Sequence, residues 1–532
     1  MILPLLRKTN DKFIFTIMGL IIPFFVLLPL IQLVIKSFGE SSLYFQTLWE
    51  SKALLEGIIK TVELIVKVGL FSSIIGFLLA YLMTFFNIKY RRVVNILIIL
   101  PLAIPVYVAA YTYTNIFYYL PFLETLIKQP FFMNGAVFIY SLFLYPYVYL
   151  ASKSYLKKNL TDYVEASLTL GQSHFRMFFK LILPLSRPVI IGSMLFALFE
   201  TLSDFAVVEY YGVLTLSRYV NLAWFGQGDF VSAARFALYI LVIMFVLIFV
   251  ERRSRVNKRY SSADSTHGHL ALRTPNFIQG LATYGFIITI ISLGALLPIT
   301  QMIVSVISNY RYLPNLDILT ITFNTLLITS ITIVLIILVA LILTTITVHI
   351  KGRKKQVLAS VSVIGYAIPS MVLALGLYLL FIRFDQFLYR LFNPIGLNKM
   401  LITSTITILI IGFFIKFFSI AYSNLLSAYN RMDYALLEAS ENLGETKFST
   451  LIRVTIPVLK RSIFAVAIIL FIDMVKELTI VYSLRPFNFK TLSTEVYRYA
   501  GNEMISIAAF PSLIIILLCT GLIIYLEEGN KR

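Results

Sequence analysis

EASLTLGQSHFRMFFKLILP, residues 165–184, interrupts a chain that is otherwise mostly apolar, and EASENLGETKFSTLIRVTIP, residues 438–457, repeats its skeleton. Glu165, Ala166, Ser167, Gly171, Phe175 and Pro184 return 273 residues later as Glu438, Ala439, Ser440, Gly444, Phe448 and Pro457. A fixed offset between such landmarks marks duplicated units. In each copy an acidic start suits the positive end of a short helix, and the glycine permits a sharp turn. A second short helix then runs from about residue 173 until the proline starts the next span. Phe175, Phe178, Phe179 and Ile182 give that second helix an apolar face. One such loop is equally well an ordinary interfacial helix. Two copies with the same internal spacing predict an element that docks in a groove on a partner.

The rest of the chain sets the class. Its 532 residues are 59% hydrophobic and only 13% charged, against about 25% charged in soluble domains, and the mean hydropathy is +0.87. These values predict an all-α integral membrane protein. The net charge of +19 comes from Lys and Arg in short loops beside apolar runs, where topology and anionic headgroups account for them, so nucleic acid is not an implied partner. Cys519 is the single cysteine, which excludes an intrachain disulfide. Apolar runs fall near 13–36, 59–86, 93–119, 132–152, 189–211, 233–250, 277–307, 322–350, 357–382, 401–426, 462–484 and 505–526. Each approaches the roughly 20 residues that a crossing needs, giving about twelve transmembrane helices. The first run is too long for a signal peptide and lacks a cleavage site, so it reads as an uncleaved span.

Loop charge predicts orientation. Lys89/Arg91/Arg92, Arg252/Arg253/Arg255/Lys258/Arg259 and Lys351/Arg353/Lys354/Lys355 fall on the side of the amino terminus when helices alternate, which makes that side cytoplasmic. Both termini and both repeated segments share it. The polar, basic stretch 252–275 reads as a linker between a first six-helix half, 1–251, and a second, 276–532. His267 and His269 within it have no further ligands nearby and read as solvated, and His174 and His349 have no better case for metal. PLAIPVYVAAY around Pro105 returns loosely as GYAIPSMVLAL around Pro369. Both halves carry their marked loop on the same side, so the duplication is parallel rather than inverted.

The repeated segment resembles the EAA loop of ABC importer permeases, whose pattern is Glu-Ala-Ala, three residues, Gly, and an Ile-x-Leu-Pro ending. The departures are Ser167 and Ser440 at the third position and the endings Leu181-Ile182-Leu183-Pro184 and Val454-Thr455-Ile456-Pro457. The resemblance implies the type I importer permease fold, with residues 165–184 and 438–457 as coupling helices that dock on two copies of an ATP-binding subunit. The chain has no G-x-x-x-x-G-K-[ST] loop. The resemblance therefore puts ATP and Mg on those partners and leaves this chain without cofactor or catalytic residue. LPLAIPVYVAAYTYT from Leu100, ETLSDFAVVEYYG from Glu200, NLAWFGQGDFVSAAR from Asn221 and KELTIVYSLRPFNFKTLSTEVYRYA from Lys476 further resemble the fused permeases of bacterial ferric-iron importers. That implies a bacterial inner-membrane protein, Fe(III) as transported substrate, and an extracytoplasmic binding protein that delivers it. Fused thiamine and phosphonate permeases share the architecture and remain alternatives.

Intramembrane acids bear on the substrate independently. Glu200 and Asp204 are four residues apart, and Asp473 and Glu477 take the matching places in the second half. Carboxylates at membrane depth cost at least about 2.5 kcal/mol each unless they face water, a partner or an ion. Two readings stand: the four acids line a cation pathway, or they pack the helices together, with Lys476 neutralising a neighbour. Glu63 and Lys67, one turn apart, read as an internal ion pair. No tight metal site is expected, since a transporter must release its ion. The outer loops 212–230 and 485–502 are the candidate docking surface for a binding protein, with Trp224 and Arg485 as contacts or interfacial anchors. A secondary transporter is the competing class, but NIKYRRVVN, residues 87–95, lacks the glycines and acid of the usual loop motif. A membrane enzyme would need a catalytic cluster such as H-E-x-x-H, and the sequence contains none.

Overall fold

The computed structural model describes residues 25, 27–40, 42–120, 122, 125, 132–255, 274–311, 317–349, 364–392 and 401–529. Its long elements are helices. Nine of them, among the described residues, are long and apolar enough to cross a bilayer. Arg91–Ala103 and Val106–Phe117 form a further apolar pair, bent by 99° in the manner of a broken span or a re-entrant loop. Leu27–Ser37 is a shorter apolar helix, and the earlier part of the first expected span lies outside the described residues, as does most of the 252–275 linker with His267 and His269. Ile456–Lys476 is helical throughout, but Lys460, Arg461, Asp473 and Lys476 keep it out of the most apolar set. Nine of the dozen expected crossings thus have full-length counterparts among the described residues, and the runs expected at 189–211 and 462–484 stop early, at Ser203 and Lys476. The span expected at 93–119 is not continuous.

The break has a local cause. Pro105 has no N–H to donate and pushes Ile104 into extended backbone, at φ −95° and ψ 116°. Ile104 N instead donates to Pro101 O at 3.1 Å. The same device recurs at Pro369, where Ile368 N donates to Gly365 O at 3.3 Å. Lys416, only 2% exposed, donates from Nζ to Ile368 O at 3.3 Å. Its charge also lies 5.4 Å from the Tyr366 ring centre. A buried ammonium is tolerable in a membrane protein because it meets the carbonyl and ring left at an interrupted helix.

The chain forms two compact units, which interleave the sequence halves. One comprises the described parts of Met1–Ser42, Gln227–Leu238 and Asp317–Glu495; the other comprises those of Leu43–Gly226, Tyr239–Leu316 and Val496–Arg532. In the second unit Ala53–Phe85 packs on Met133–Asn159 and Leu183–Ser203. Gly76 allows the close approach, because a Cβ there would lie 2.6 Å from Tyr145 O and 2.8 Å from the Val148 side chain. Glu63 on that helix pairs with Lys67 at 2.6 Å and with Lys60 at 3.4 Å. Leu297–Ser308, from the start of the second half, packs here against Ile505–Gly529 and Val106–Tyr119.

The first unit repeats the three-helix core with Ile318–His349, Ile406–Asn430 and Ile456–Lys476. Leu27–Ser37, from the start of the chain, packs there so closely that a Cβ on Gly376 would lie 2.7 Å from Pro29 O. Asp229 caps Phe230–Arg255, accepting from Val231 N and Ser232 N at 3.1 Å each and from the hydroxyls of Ser42 and Ser232. Burial acts to raise the Asp229 pKa, but these hydrogen bonds outweigh it and hold the carboxyl below the usual aspartate range.

Gly76→Ala is expected to lower stability by about 1–3 kcal/mol through overpacking. Gly521→Ala, with open space at its Cβ, is expected to be neutral or to stabilise by up to about 1 kcal/mol; thermal unfolding of the purified protein in detergent compares them. The Asp229 contribution is present above the ordinary aspartate pKa and lost as pH falls through the lowered value. Asp229→Ala should therefore cost about 1 kcal/mol at neutral pH and shrink that difference in acid, as read from melting midpoints across a pH series.

Candidate functional site

Each repeated segment folds as an elbow. Thr161–Thr169 carries Glu165, Ala166 and Ser167, and Tyr434–Asn442 carries Glu438, Ala439 and Ser440. Gly171 and Gly444 follow at φ +72° and +84°, where a residue with a Cβ costs roughly 1–2 kcal/mol. Gln172 N closes the first turn on Ser167 O at 3.2 Å, and Glu445 N closes the second on Ser440 O at 3.2 Å. Thr446 Oγ1 then caps the next helix, accepting from Ser449 N at 3.2 Å; Ser173 takes the same place in the first elbow, accepting from Arg176 N at 3.5 Å.

His174–Met177 and Lys447–Thr450 lead into five-residue π-helical turns, Phe178–Ile182 and Leu451–Thr455. Pro184 and Pro457 cannot donate to the carbonyls four residues back, and the ladder shifts so that Leu183 N reaches Phe178 O and Ile456 N reaches Leu451 O. This corrects the expectation that the proline begins a separate span. Phe175–Ser203 is one apolar helix, so in the first copy the end of the elbow and the crossing form one mechanical piece.

The two elbows are alike in what they bury and what they show. Val164, Ser167, Met177 and Ile182 are buried in one, and Leu437, Ser440, Thr450 and Thr455 in the other. The Ser440 and Thr450 hydroxyls share a hydrogen bond of 2.9 Å, and Leu437 packs with Val348, Ala428, Tyr429 and Leu459. Outward, Leu170 and Phe175 are 81% and 76% exposed, and Leu443 and Phe448 85% and 65%. Arg453 adds an ion pair to Glu445 at 2.6 Å. Hydrogen bonds from Ser449, then the charge of Arg453, hold the Glu445 carboxyl below its ordinary pKa.

The intramembrane acids do not all stand as expected. Glu200 and Asp204 do not share a helix face, because Leu183–Ser203 ends before Asp204, which is extended at φ −87° and ψ 131°. Its Oδ1 accepts from Ala206 N at 2.6 Å and Val207 N at 3.2 Å, capping Ala206–Tyr210. Glu477 is its counterpart. It is extended at φ −66° and ψ 117° after Ile456–Lys476, and its Oε1 accepts from Ile480 N at 3.1 Å. Glu200 sits in the last turn of its helix, and Asp473 pairs with Lys476 at 3.3 Å. Among the described residues no three His, Cys, Asp or Glu side chains gather as metal ligands.

Of the outer residues singled out, Trp224 is buried at 6% exposure and stacks on Phe225 with ring centres 4.6 Å apart. It is therefore core, not docking surface. Arg485 donates from Nη1 to Phe489 O at 2.9 Å and is half-buried. Phe487, 96% exposed, is the ring that this loop presents. A second paired feature escaped the sequence reading. Thr215-Leu216-Ser217 and Thr491-Leu492-Ser493 are matched turns, with Leu216 N donating to Thr61 Oγ1 and Leu492 N to Thr325 Oγ1, each at 2.9 Å. T-L-S marks both turns but also occurs at 201–203 inside Leu183–Ser203, so the tripeptide was an ambiguous signal.

Two copies of a three-helix core, each with an interrupted apolar run and a polar elbow carrying exposed apolar side chains, define a duplicated polytopic permease. The family described as binding-protein-dependent transport system inner membrane component matches residues 72–256 and 336–527. The chain belongs to that family and is a multi-pass membrane protein of the type I permease fold. It is 22% identical over 471 residues to the Fe(3+)-transport system permease protein FbpB 2 of Haemophilus influenzae, covering 88% of each chain. It is also similar to the sulfate transport system permease protein CysT of Salmonella typhimurium, 26% identical over 194 residues, 34% of this chain and 69% of that one. CysT of Escherichia coli matches at 25% over 194 residues, with the same coverage.

Asp204→Ala is expected to lose about 1 kcal/mol of stability by removing a helix cap, whereas Asp204→Asn should lose a few tenths. Melting midpoints of the two variants against the parent protein check the assignment of that carboxylate as a cap.

Proposed function

We propose that this permease imports ferric iron handed over by an extracytoplasmic binding protein, driven by two copies of a separate ATPase subunit that dock on the elbows at the cytoplasmic face. The observation that carries the coupling is the matched pair of exposed side chains, Leu170 with Phe175 and Leu443 with Phe448. Each side chain fully buried in a partner's cleft contributes roughly 1.5–3 kcal/mol. Exposure of all four to water in the isolated chain favours such an occupant. The halves 1–251 and 276–532 then supply one elbow each, with 252–275 as their tether.

Force follows from rigidity. Displacement of the first elbow passes through the Phe178–Ile182 turn into a helix that runs unbroken to Ser203, roughly 30 Å at 1.5 Å per residue. At its far end the chain turns at Asp204. Nucleotide-driven closure of the ATPases would draw the elbows together and bias the permease toward its outward-open arrangement, and hydrolysis would return it. ATP and Mg stay on the partners. Support for iron comes from the Fe(3+)-transport permease relative, which aligns over 88% of the chain, whereas the sulfate permeases align with about a third of it. Partly buried carboxylates near the helix breaks also suit a cation better than sulfate.

The test is ATP hydrolysis by the permease reconstituted with its ATPase and binding protein in proteoliposomes. Stimulation by ferric iron, and not by sulfate, thiamine or a phosphonate, is expected; stimulation by one of the others alone overturns the substrate. A Cβ at Gly444 meets no neighbour within 4 Å, but Gly444→Val strains the turn. It should cut substrate-stimulated hydrolysis at least about tenfold, the effect of roughly 1.4 kcal/mol, while the melting midpoint moves by only a few degrees. Unchanged coupling in both Gly444→Val and Phe448→Asp would remove the elbows from the mechanism.

A further inference from the structure

We infer that the second unit holds a transient Fe(III) site built from phenol and carboxylate oxygens, at the end of Leu183–Ser203 remote from its elbow. The inference rests on the ferric-iron reading proposed above and adds the place where the ion pauses. Tyr111 comes from Val106–Tyr119, Tyr140 from Met133–Asn159, Glu209 from Ala206–Tyr210 and Tyr497 from Leu492–Gly501. Asp204 lies at the turn between the helices that precede and carry Glu209.

These groups are linked in pairs. Tyr497 donates its hydroxyl to Glu209 Oε2 at 2.8 Å, and Asn221 Nδ2 donates to Glu209 Oε1 at 3.3 Å. Tyr111 lies within electrostatic reach of Asp204, Glu209 and Tyr497, and Tyr140 within reach of Asp204 and Tyr111. Both side-chain partners of Glu209 are neutral. A half-buried carboxylate whose side-chain partners carry no positive charge is a place where a cation is favoured.

One further observation points to a ligand. Tyr140 is completely buried, and its hydroxyl has no hydrogen-bond partner among the described residues. Asn221 Oδ1, beside Glu209, is likewise buried and unpartnered. Buried polar groups are normally satisfied. A phenol left open within electrostatic reach of Asp204, and an amide oxygen left open on a partner of Glu209, add to these two carboxylates further hard donors, and hard oxygen donors select a hard, highly charged ion. Two carboxylates would repel an oxyanion. On binding, the phenols give their protons to water as the iron–oxygen bonds form.

Access is consistent with brief occupancy. Glu209 and Tyr210 are half-buried rather than sealed. Glu503, exposed and held at φ +61° where the first copy has Gly228 at φ +63°, acts electrostatically on Tyr210. It places a further negative charge where an arriving cation first meets the cluster. Asp204 also caps the following helix, so an ion drawing on its carboxylate acts on the joint that ends the elbow's own helix.

The experiment titrates ferric nitrilotriacetate into the full-length permease in lipid nanodiscs and follows the visible phenolate-to-iron charge-transfer band. A band is expected in the parent protein. Tyr140→Phe and Glu209→Gln should each weaken the apparent affinity at least about tenfold, while Tyr310→Phe, at an exposed ring, should leave it unchanged. Tyr140→Phe removes only an unpartnered hydroxyl, so its melting midpoint should match or exceed the parent's; a role in packing alone would leave the iron affinity untouched. No band in the parent, or an affinity unchanged from the parent in both site variants, overturns the site. Iron-stimulated ATP hydrolysis by the assembled transporter separates the two levels. Stimulation without a band sinks the site and leaves the import reading standing. A band with the expected losses, but hydrolysis that answers only to sulfate, upholds the site and overturns the import reading.

Discussion

Backbone polar groups inside hydrocarbon must find partners within the protein, and the architecture of this permease depends on how it meets that demand where its helices stop. Continuous helices satisfy it without help. The interruptions do not, and each carries its own remedy: Asp204 and Glu477 turn their carboxylates onto the N–H groups of the next helix, and Lys416 reaches the carbonyl of Ile368. The threonines of the T-L-S turns' partner helices, Thr61 and Thr325, do the same for Leu216 and Leu492. The side chains of Asp204, Glu477, Lys416, Thr61 and Thr325 are thus concentrated where the backbone needs them. The same concentration leaves oxygen atoms lining the joints of a transporter.

The duplication is the second organising fact. The two three-helix cores, the interruptions at Pro105 and Pro369, the π-helical turns and the elbows recur in both copies, and the compact units nevertheless mix the copies. Leu27–Ser37 packs on a helix of the later copy, and Leu297–Ser308 on helices of the earlier one. Such an exchange of terminal helices gives the two copies shared cores, so neither is expected to be stable alone.

Much of this was legible in the sequence. Composition and run length identified a helical membrane protein, and the E-A-S, Gly, Phe, Pro skeleton located both elbows, because a left-handed glycine and a proline-shifted ladder leave marks at fixed spacing. Hydropathy gives 93–119 as one uninterrupted run because it is blind to the N–H that Pro105 lacks. The interleaving of the halves was invisible for a different reason: which helix face meets which partner is decided by contacts far apart in the chain, such as Gly376 against Pro29. Asp204 was placed on the face of Glu200 because periodicity assumes an unbroken helix. Trp224 illustrates the converse, an aromatic in a loop-like segment that the structure buries. The Tyr497 to Glu209 contact joins residues 288 apart and carries no local signature.

Fusion of the copies into one polypeptide has a consequence for how the elbows change over time. The Glu445–Arg453 pair of the second elbow is matched in the first by Gln172 and Lys180, so the two surfaces already differ in charge around a common apolar pair. In an assembly of two identical chains every substitution lands on both surfaces at once. Here each can drift by itself, and under the proposed docking two identical motors would grip unequal handles, with one side of the stroke set to engage or let go before the other.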